Sequence, residues 1–243
     1  MVPFGYELEF CGSNLVEPSC AMQIPLKPKG KNKNYNTFHL EPEEKITTPD
    51  LNGGELISPI YQDKSLALQE LKEKLEILKE HHAYLPKNSK NTAIHVHLDK
   101  TFLKDSKIYY EALLKFLYSF QNEIFEYASY QEGIRSNFHE SCSPLKEEDI
   151  IGYLNDFPNN KEFSGKRKCI RFTRETLELR YFSSSLDFER ARLPIEFATS
   201  LADYIENTKW NMKEINMWYR NTYIEPRKYN DKRNAILKNT LHL

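Results

Sequence analysis

Three segments of this chain alternate between apolar and ionisable side chains with a period of two. Residues 4–10 place Tyr6, Leu8 and Phe10 on one side and Glu7 and Glu9 on the other. Residues 92–98 set Ile94, Val96 and Leu98 against His95 and His97. Residues 176–182 set Leu177, Leu179 and Tyr181 against Glu178 and Arg180. Side chains two apart on a strand point to the same side of a sheet. Each segment therefore predicts a strand with one apolar and one ionisable face. The apolar faces ask for a covering layer of helices. A shorter strand, residues 54–60, carries Glu55 and ends at Ser58-Pro59, and residues 38–40 and 169–172 are candidates to extend the sheet.

Helical spacing fills the intervals. Residues 64–83 put Leu68, Leu71, Leu75 and Leu78 on one face, with Asp63 as cap and Pro86 beyond the end. Residues 106–130 put Ala112, Phe116, Phe120, Ile124 and Tyr127 on one face, with Asp105 as cap. A shorter helix is expected to start at Ser143-Pro144 and run to residue 154, since Pro suits the first helical position. Residues 188–206 read as a helix in which Pro194 demands a kink or an early start. The 243 residues show no internal repeat or linker, which predicts a single domain over residues 1–243 with a charged tail from about 224, ending in a short helix. Residues 27–36 are basic and polar. They read as a solvated loop, or more sharply as a mobile loop that meets phosphate or an acidic substrate.

The ionisable faces carry the chemistry. Two Glu at i and i+2 repel unless a cation lies between them. A concave sheet lined by these carboxylates and imidazoles, from Glu7, Glu9, Glu55, His95, His97 and Glu178, would be a site for divalent cations. Carboxylates with a single imidazole suit Mg²⁺ or Mn²⁺, whereas Zn²⁺ prefers more His or Cys. Arg180 adds a fixed guanidinium that can hold a phosphate oxygen. Carboxylates, a metal and an Arg on one face are the parts of a phosphoryl-transfer site. Each motif alone has an ordinary reading: Glu-x-Glu occurs on many exposed strands, His-x-His can be a structural pair, and Glu-x-Arg is usually a surface ion pair. What lifts the set is its recurrence on separate strands with matching apolar reverse faces.

The ordered motifs Phe4-Gly5-Tyr6-Glu7-Leu8-Glu9-Phe10, Glu55-Leu56-Ile57-Ser58-Pro59-Ile60, Ala93-Ile94-His95-Val96-His97-Leu98-Asp99 and Thr176-Leu177-Glu178-Leu179-Arg180-Tyr181-Phe182 resemble the amidoligase family, relatives of glutamine synthetase and glutamate–cysteine ligase. The resemblance implies an α+β fold: a curved, mainly antiparallel sheet with helices on its outer face. It implies that Glu7, His95 and Glu178 hold one metal and that Glu9 and Glu55 help hold another. It also implies that His97 touches ATP phosphates and that Arg180 stabilises the phosphoryl group in flight. Arg135, in Glu132-Gly133-Ile134-Arg135-Ser136-Asn137, is similar to a family Arg that would meet phosphate or substrate, with Asn137 a lesser candidate. One departure is Phe38-His39-Leu40-Glu41-Pro42-Glu43, where the family commonly has a Trp-containing strand and an Asp-x-Ser segment.

The function expected from this resemblance is an ATP- and Mg²⁺-dependent ligase. It would join a carboxylate-bearing substrate (amino acid, peptide or protein tail) to an amine donor through an acyl phosphate, with Glu7, Glu178 and Arg180 as its catalytic core. Two other readings stand beside it: a Zn²⁺ hydrolase using His95 and His97 with Glu7 or Glu178 as base, and a nucleotide-binding module without turnover. A net charge of −1 gives no uniform field toward nucleic acid. Lys166-Arg167-Lys168 and the basic tail at Arg227, Lys228, Lys232 and Arg233 lie among acidic residues and read as solvated faces. No run approaches the roughly 20 apolar residues of a membrane span, and Glu7 and Glu9 argue against a signal peptide. Cys11, Cys20, Cys142 and Cys169 form no Cys-x-x-Cys pair, so free thiols in a reducing cytoplasm are expected, a Cys11–Cys20 pairing being the alternative.

Overall fold

Each long alternating segment becomes a strand, and their pairing joins residues as far apart in the chain as Phe4 and Leu98. The structure is a computed structural model that describes residues 1–12, 14–29, 36–44, 52–85, 92–128, 142–155, 157, 168–207 and 217. In chain order the elements are β1 (Phe4–Gly12), α1 (Val16–Met22), β2 (His39–Pro42), β3 (Asn52–Ile57), α2 (Lys64–Glu80), β4 (Ala93–Asp99), a 3₁₀ turn (Lys100–Leu103), α3 (Lys107–Ser119), α4 (Gln121–Ala128), α5 (Glu147–Asn155), β5 (Ile170–Phe172), β6 (Thr176–Ser183) and α6 (Phe188–Asn207). The fold is α+β. Its six-stranded sheet has the order β2-β3-β1-β4-β6-β5, and every neighbouring pair is antiparallel. The short segments around residues 39 and 171 supply the two edges.

The apolar residues of the strands are buried together. Tyr6, Leu8, Phe10, Leu40, Leu56, Ile94, Val96, Leu98, Leu177 and Leu179 share one core with Leu71, Leu75 and Leu78 of α2, Phe116 of α3, and Ile195, Phe197 and Leu201 of α6. Fully burying each such side chain contributes about 1.5–3 kcal/mol. Asp63 caps α2 as its position suggested, its carboxylate accepting from the N–H groups of Ser65 (2.8 Å) and Leu66 (3.2 Å). Ala67 and Leu71 rather than Leu68 carry the most buried stripe at the start of that helix.

Three helical expectations need correction. The single helix over residues 106–130 is two, α3 and α4, broken at Phe120. There Gln121 clasps Leu145: its Oε1 accepts from the Leu145 N–H at 2.9 Å and its Nε2 donates to the Leu145 carbonyl at 3.2 Å. Asp105 does not cap α3. It lies at φ 45° directly after Lys104 at φ 52°, and this left-handed pair turns the chain so that Ser106 precedes the helix. Ser143-Pro144 does not start a helix either. Ser143 bridges to Lys168 and accepts from the Cys169 N–H at 2.9 Å, so its backbone is spent beside β5 and α5 begins at Glu147. Pro194 sits buried inside α6. Cys11, Cys20, Cys142 and Cys169 are all free thiols, which rules out the Cys11–Cys20 pairing here. Among the described residues no helix is long and apolar enough to cross a membrane. The tail from residue 224, including Arg227, Lys228, Lys232 and Arg233, lies outside the described residues, as do Lys166 and Arg167.

Candidate metal centre

Register converts the separate motifs into adjacent rows on one face. Glu41 of β2 lies opposite Glu55 of β3, and Glu55 opposite Glu9 of β1. One step along, Glu7 pairs with Ile57 on one side and with His95 of β4 on the other. One step further, His97 pairs with Glu178 of β6, and Glu178 with Arg171 of β5. The β4–β6 register shifts between Ile94 and Val96, whose partners are Phe182 and Leu179, so Arg180 and Tyr181 together oppose His95. This bulge lets Arg180 stay on the ionisable face while the Tyr181 ring packs on Phe125, 4.9 Å between centroids. The backbone of Arg180 is fixed at both ends: its N–H donates to the Cys169 carbonyl at 2.8 Å, and its carbonyl accepts from Cys142 Sγ at 3.1 Å.

Two donor groups result. One ligating atom from each of Glu7, His95 and Glu178 lies within 4.8 Å of the others, and the same holds for Glu9, Glu55 and His95. His95 belongs to both. Its Nδ1 is 3.2 Å from Glu7 Oε2 and 3.6 Å from Glu178 Oε1. His97 enters neither group; its Nε2 faces Glu7 Oε1 at 3.2 Å. Glu178 lies between two guanidiniums, in contact with Arg180 Nη1 and 3.5 Å from Arg171 Nη1. Glu9 is steadied by the Ala93 N–H, which donates to Oε2 at 2.7 Å, and by Ser184 Oγ, which donates to its carbonyl.

The two groups differ in charge balance. Burial alone would raise the Glu7 carboxyl, yet the imidazoles of His97 and His95 hold it well below its usual range. Glu178 is also lowered: burial opposes this, but His97, His95 and Arg180 outweigh it. Burial pulls His97 down, while the charge of Glu7, a bond to it and Glu178 raise it. Glu55 goes the other way. Burial and the carboxylates of Glu7, Glu9 and Glu41 push it up to about 8, against the pull of Lys29. The Glu9–Glu55 side is thus short of positive charge, which is the condition a divalent cation relieves. Four carboxylates around one imidazole are hard oxygen donors, a set that fits Mg²⁺ or Mn²⁺.

Glu7, Glu9, Glu55, His95, His97, Glu178 and Arg180 are therefore gathered on one face, as the alternation anticipated. Arg135 and Asn137 lie outside the described residues. Arg171, Glu41, Glu43 and Lys29 join this face although none of the sequence motifs marks them as site residues. Arg171 had a readable signal, since Ile170-Arg171-Phe172 repeats in miniature the apolar–ionisable alternation of the longer strands. Within the basic stretch at 27–36, Lys29 Nζ contacts Glu43 Oε2 and lies 3.5 Å from Glu55 Oε2, while residues 30–35 lie outside the described residues. Lys168 is paired with Asp149 at 2.6 Å. No protein-family model matches the chain, and no curated protein is significantly similar to it.

Proposed function

We propose that this chain is an ATP- and Mg²⁺-dependent carboxylate–amine ligase of the amidoligase type, with a sheet of the glutamine synthetase kind. The observation that carries the reading is the pair of donor groups joined at His95, with Arg180 on the same face. Glu7, His95 and Glu178 would hold one ion and Glu9 and Glu55, with His95, the other. Mg²⁺, or Mn²⁺ in its place, would supply neutralisation of the triphosphate charge.

The chain's own side chains do the rest. Arg180, fixed on its bulge and braced by Glu178, presents a guanidinium where charge develops on the transferred phosphoryl group. His97, held by Glu7 in a state that favours its proton, offers a donor to a phosphate oxygen. Arg171 extends the cationic side toward the open sheet edge. A substrate carboxylate oxygen attacks the γ-phosphorus and ADP leaves. The amine then attacks the acyl carbon of the acyl phosphate, inorganic phosphate departs, and the nitrogen loses its proton. The face needs mainly to position and neutralise.

Zn²⁺ hydrolysis has less support, because His97 points at Glu7 and leaves one imidazole per donor group. ADP release across a panel of amines, with ATP, Mg²⁺ and varied carboxylates, tests the ligase reading. Glu178→Gln and Arg180→Ala are each expected to abolish amine-dependent release while circular dichroism stays unchanged. Wild-type turnover in either variant sinks the reading. ATP binding with no ADP across the panel would reassign the chain to a nucleotide-binding module.

A further inference from the structure

We infer that Lys29 is a resident cation of the Glu9–Glu55 side of the centre, seated on Glu43 and Glu55 when no divalent ion is bound and expelled when one binds. This rests on the metal reading of the face, not on ligase turnover. Lys29 reaches in from outside. Its side chain is 43% exposed, whereas those of Glu43 and Glu55 are 3% and 8% exposed. Two buried carboxylates without a nearby cation are costly, and the ammonium supplies that charge.

The chain around Lys29 is built to deliver it. Lys27 N–H donates to the Leu40 carbonyl at 2.8 Å and Leu40 N–H to the Pro25 carbonyl at 3.0 Å, forming a parallel bridge along the outer edge of β2. That bridge ends two residues before Lys29. Glu43 is anchored on the other side, its N–H donating to the Gly53 carbonyl at 2.9 Å. Glu43 belongs to neither donor group, so it remains a seat for the ammonium, while Glu55 belongs to the Glu9–Glu55–His95 group and also faces Lys29.

The two cations exclude each other. An ion ligated by Glu55 sets a double positive charge beside the ammonium and takes the oxygens it uses. The lysine can withdraw by rotating its methylenes, with the bridge at residues 25–27 intact. By reciprocity, whatever Lys29 costs the ion, the ion costs Lys29.

Two measurements test this at about pH 9, where the carboxylates are ionised. The first is acetylation of Lys29 in the wild-type protein, followed by mass spectrometry, with and without saturating Mg²⁺ and with Lys64 on α2 as internal reference. Mg²⁺ is expected to speed Lys29 labelling roughly fivefold or more relative to Lys64. The second is Mg²⁺ titration calorimetry, in which Lys29→Met is expected to bind roughly fivefold or more tightly than wild type. Mg²⁺ binding with unchanged Lys29 labelling, or equal affinities in the two proteins, overturns the inference while leaving the metal centre standing. Absence of Mg²⁺ binding in both proteins removes the centre and the inference together. Absence of ADP release touches neither.

Discussion

Glu9 and Glu55 stand directly opposite each other across the β1–β3 pairing, both buried, so two carboxylates share one place on the sheet. Burial first, then the charges of Glu7, Glu9 and Glu41, against the pull of Lys29, keep the Glu55 proton on up to about pH 8. The folded protein holds a proton there that the unfolded chain releases near its ordinary carboxyl range. Stability therefore falls as pH rises through that window, by up to about 1.4 kcal/mol per pH unit. His97, raised in the fold, adds stability below its ordinary range and loses it as pH climbs through its folded value, a contribution of the same sign. Glu7 and Glu178, both lowered, contribute stability above the ordinary carboxyl range and lose it only on further acidification. Glu55→Gln is expected to flatten the decline between about pH 5 and 8 in metal-free urea titrations. Parallel curves for variant and wild type would remove Glu55 as its source. Mg²⁺ is expected to raise the wild-type Tm more at about pH 8 than at about pH 6, since at the higher pH it displaces fewer protons.

Glu178 is the carboxylate most tightly held by cations, touching Arg180 and facing Arg171 and His95. Glu178→Gln preserves its shape and removes its charge. Mg²⁺ affinity is expected to fall about tenfold or more, equivalent to about 1.4 kcal/mol or beyond. The metal-free protein is expected to lose about 1–3 kcal/mol, because guanidiniums arranged around a charge are left without it. Calorimetry and urea titration read the two effects separately. Unchanged Mg²⁺ affinity would strike Glu178 from the ligands.

The long strands were legible because their signal is local: one period-2 run states both its apolar face and its ionisable face. Six of the site residues came from that signal, and Glu55 came from the shorter strand at 54–60. The rows they form were not legible, since strand order depends on pairing between residues as distant as Glu7 and His95 or His97 and Glu178. Edge strands hid their contributions for want of length. The candidate sheet extension at residues 38–40 stops short of Glu41, yet the strand runs to Pro42 and sets Glu41 beside Glu55. The break at Phe120 was invisible because it accompanies a clasp between Gln121 and Leu145, 24 positions away. Nor does any residue type announce the bulge at Arg180 and Tyr181.

Arg171 offers a variant that separates binding from folding. Its side chain is 37% exposed on the edge strand β5, and its partner Glu178 keeps Arg180. Arg171→Ala is expected to weaken binding of a non-hydrolysable ATP analogue about tenfold, the loss of one charge-assisted hydrogen bond. Stability should move by no more than about 0.5 kcal/mol, as for other exposed substitutions. Full nucleotide affinity in Arg171→Ala would confine the cationic side to Arg180 and His97.

Gly54 tests whether the Glu55 row depends on close packing beneath it. It precedes Glu55 on β3 and pairs with Phe10 of β1 and Pro42 of β2. Its missing side chain leaves room for two apolar neighbours: a Cβ there would come within 2.7 Å of Leu15 Cδ2 and of Phe10 Cζ. Phe10 is fully buried and Leu15 nearly so, and both belong to the shared core, so neither can move aside cheaply. Gly54→Ala is expected to cost about 1–3 kcal/mol by overpacking, read as a lower urea midpoint with an unchanged slope. Because relief must come from shifting β3 away from β1, Glu55 would separate from Glu9. Mg²⁺ affinity should therefore fall even though no ligand has changed. A variant that loses stability but keeps wild-type Mg²⁺ binding would show that the carboxylates hold their places without the packing below them.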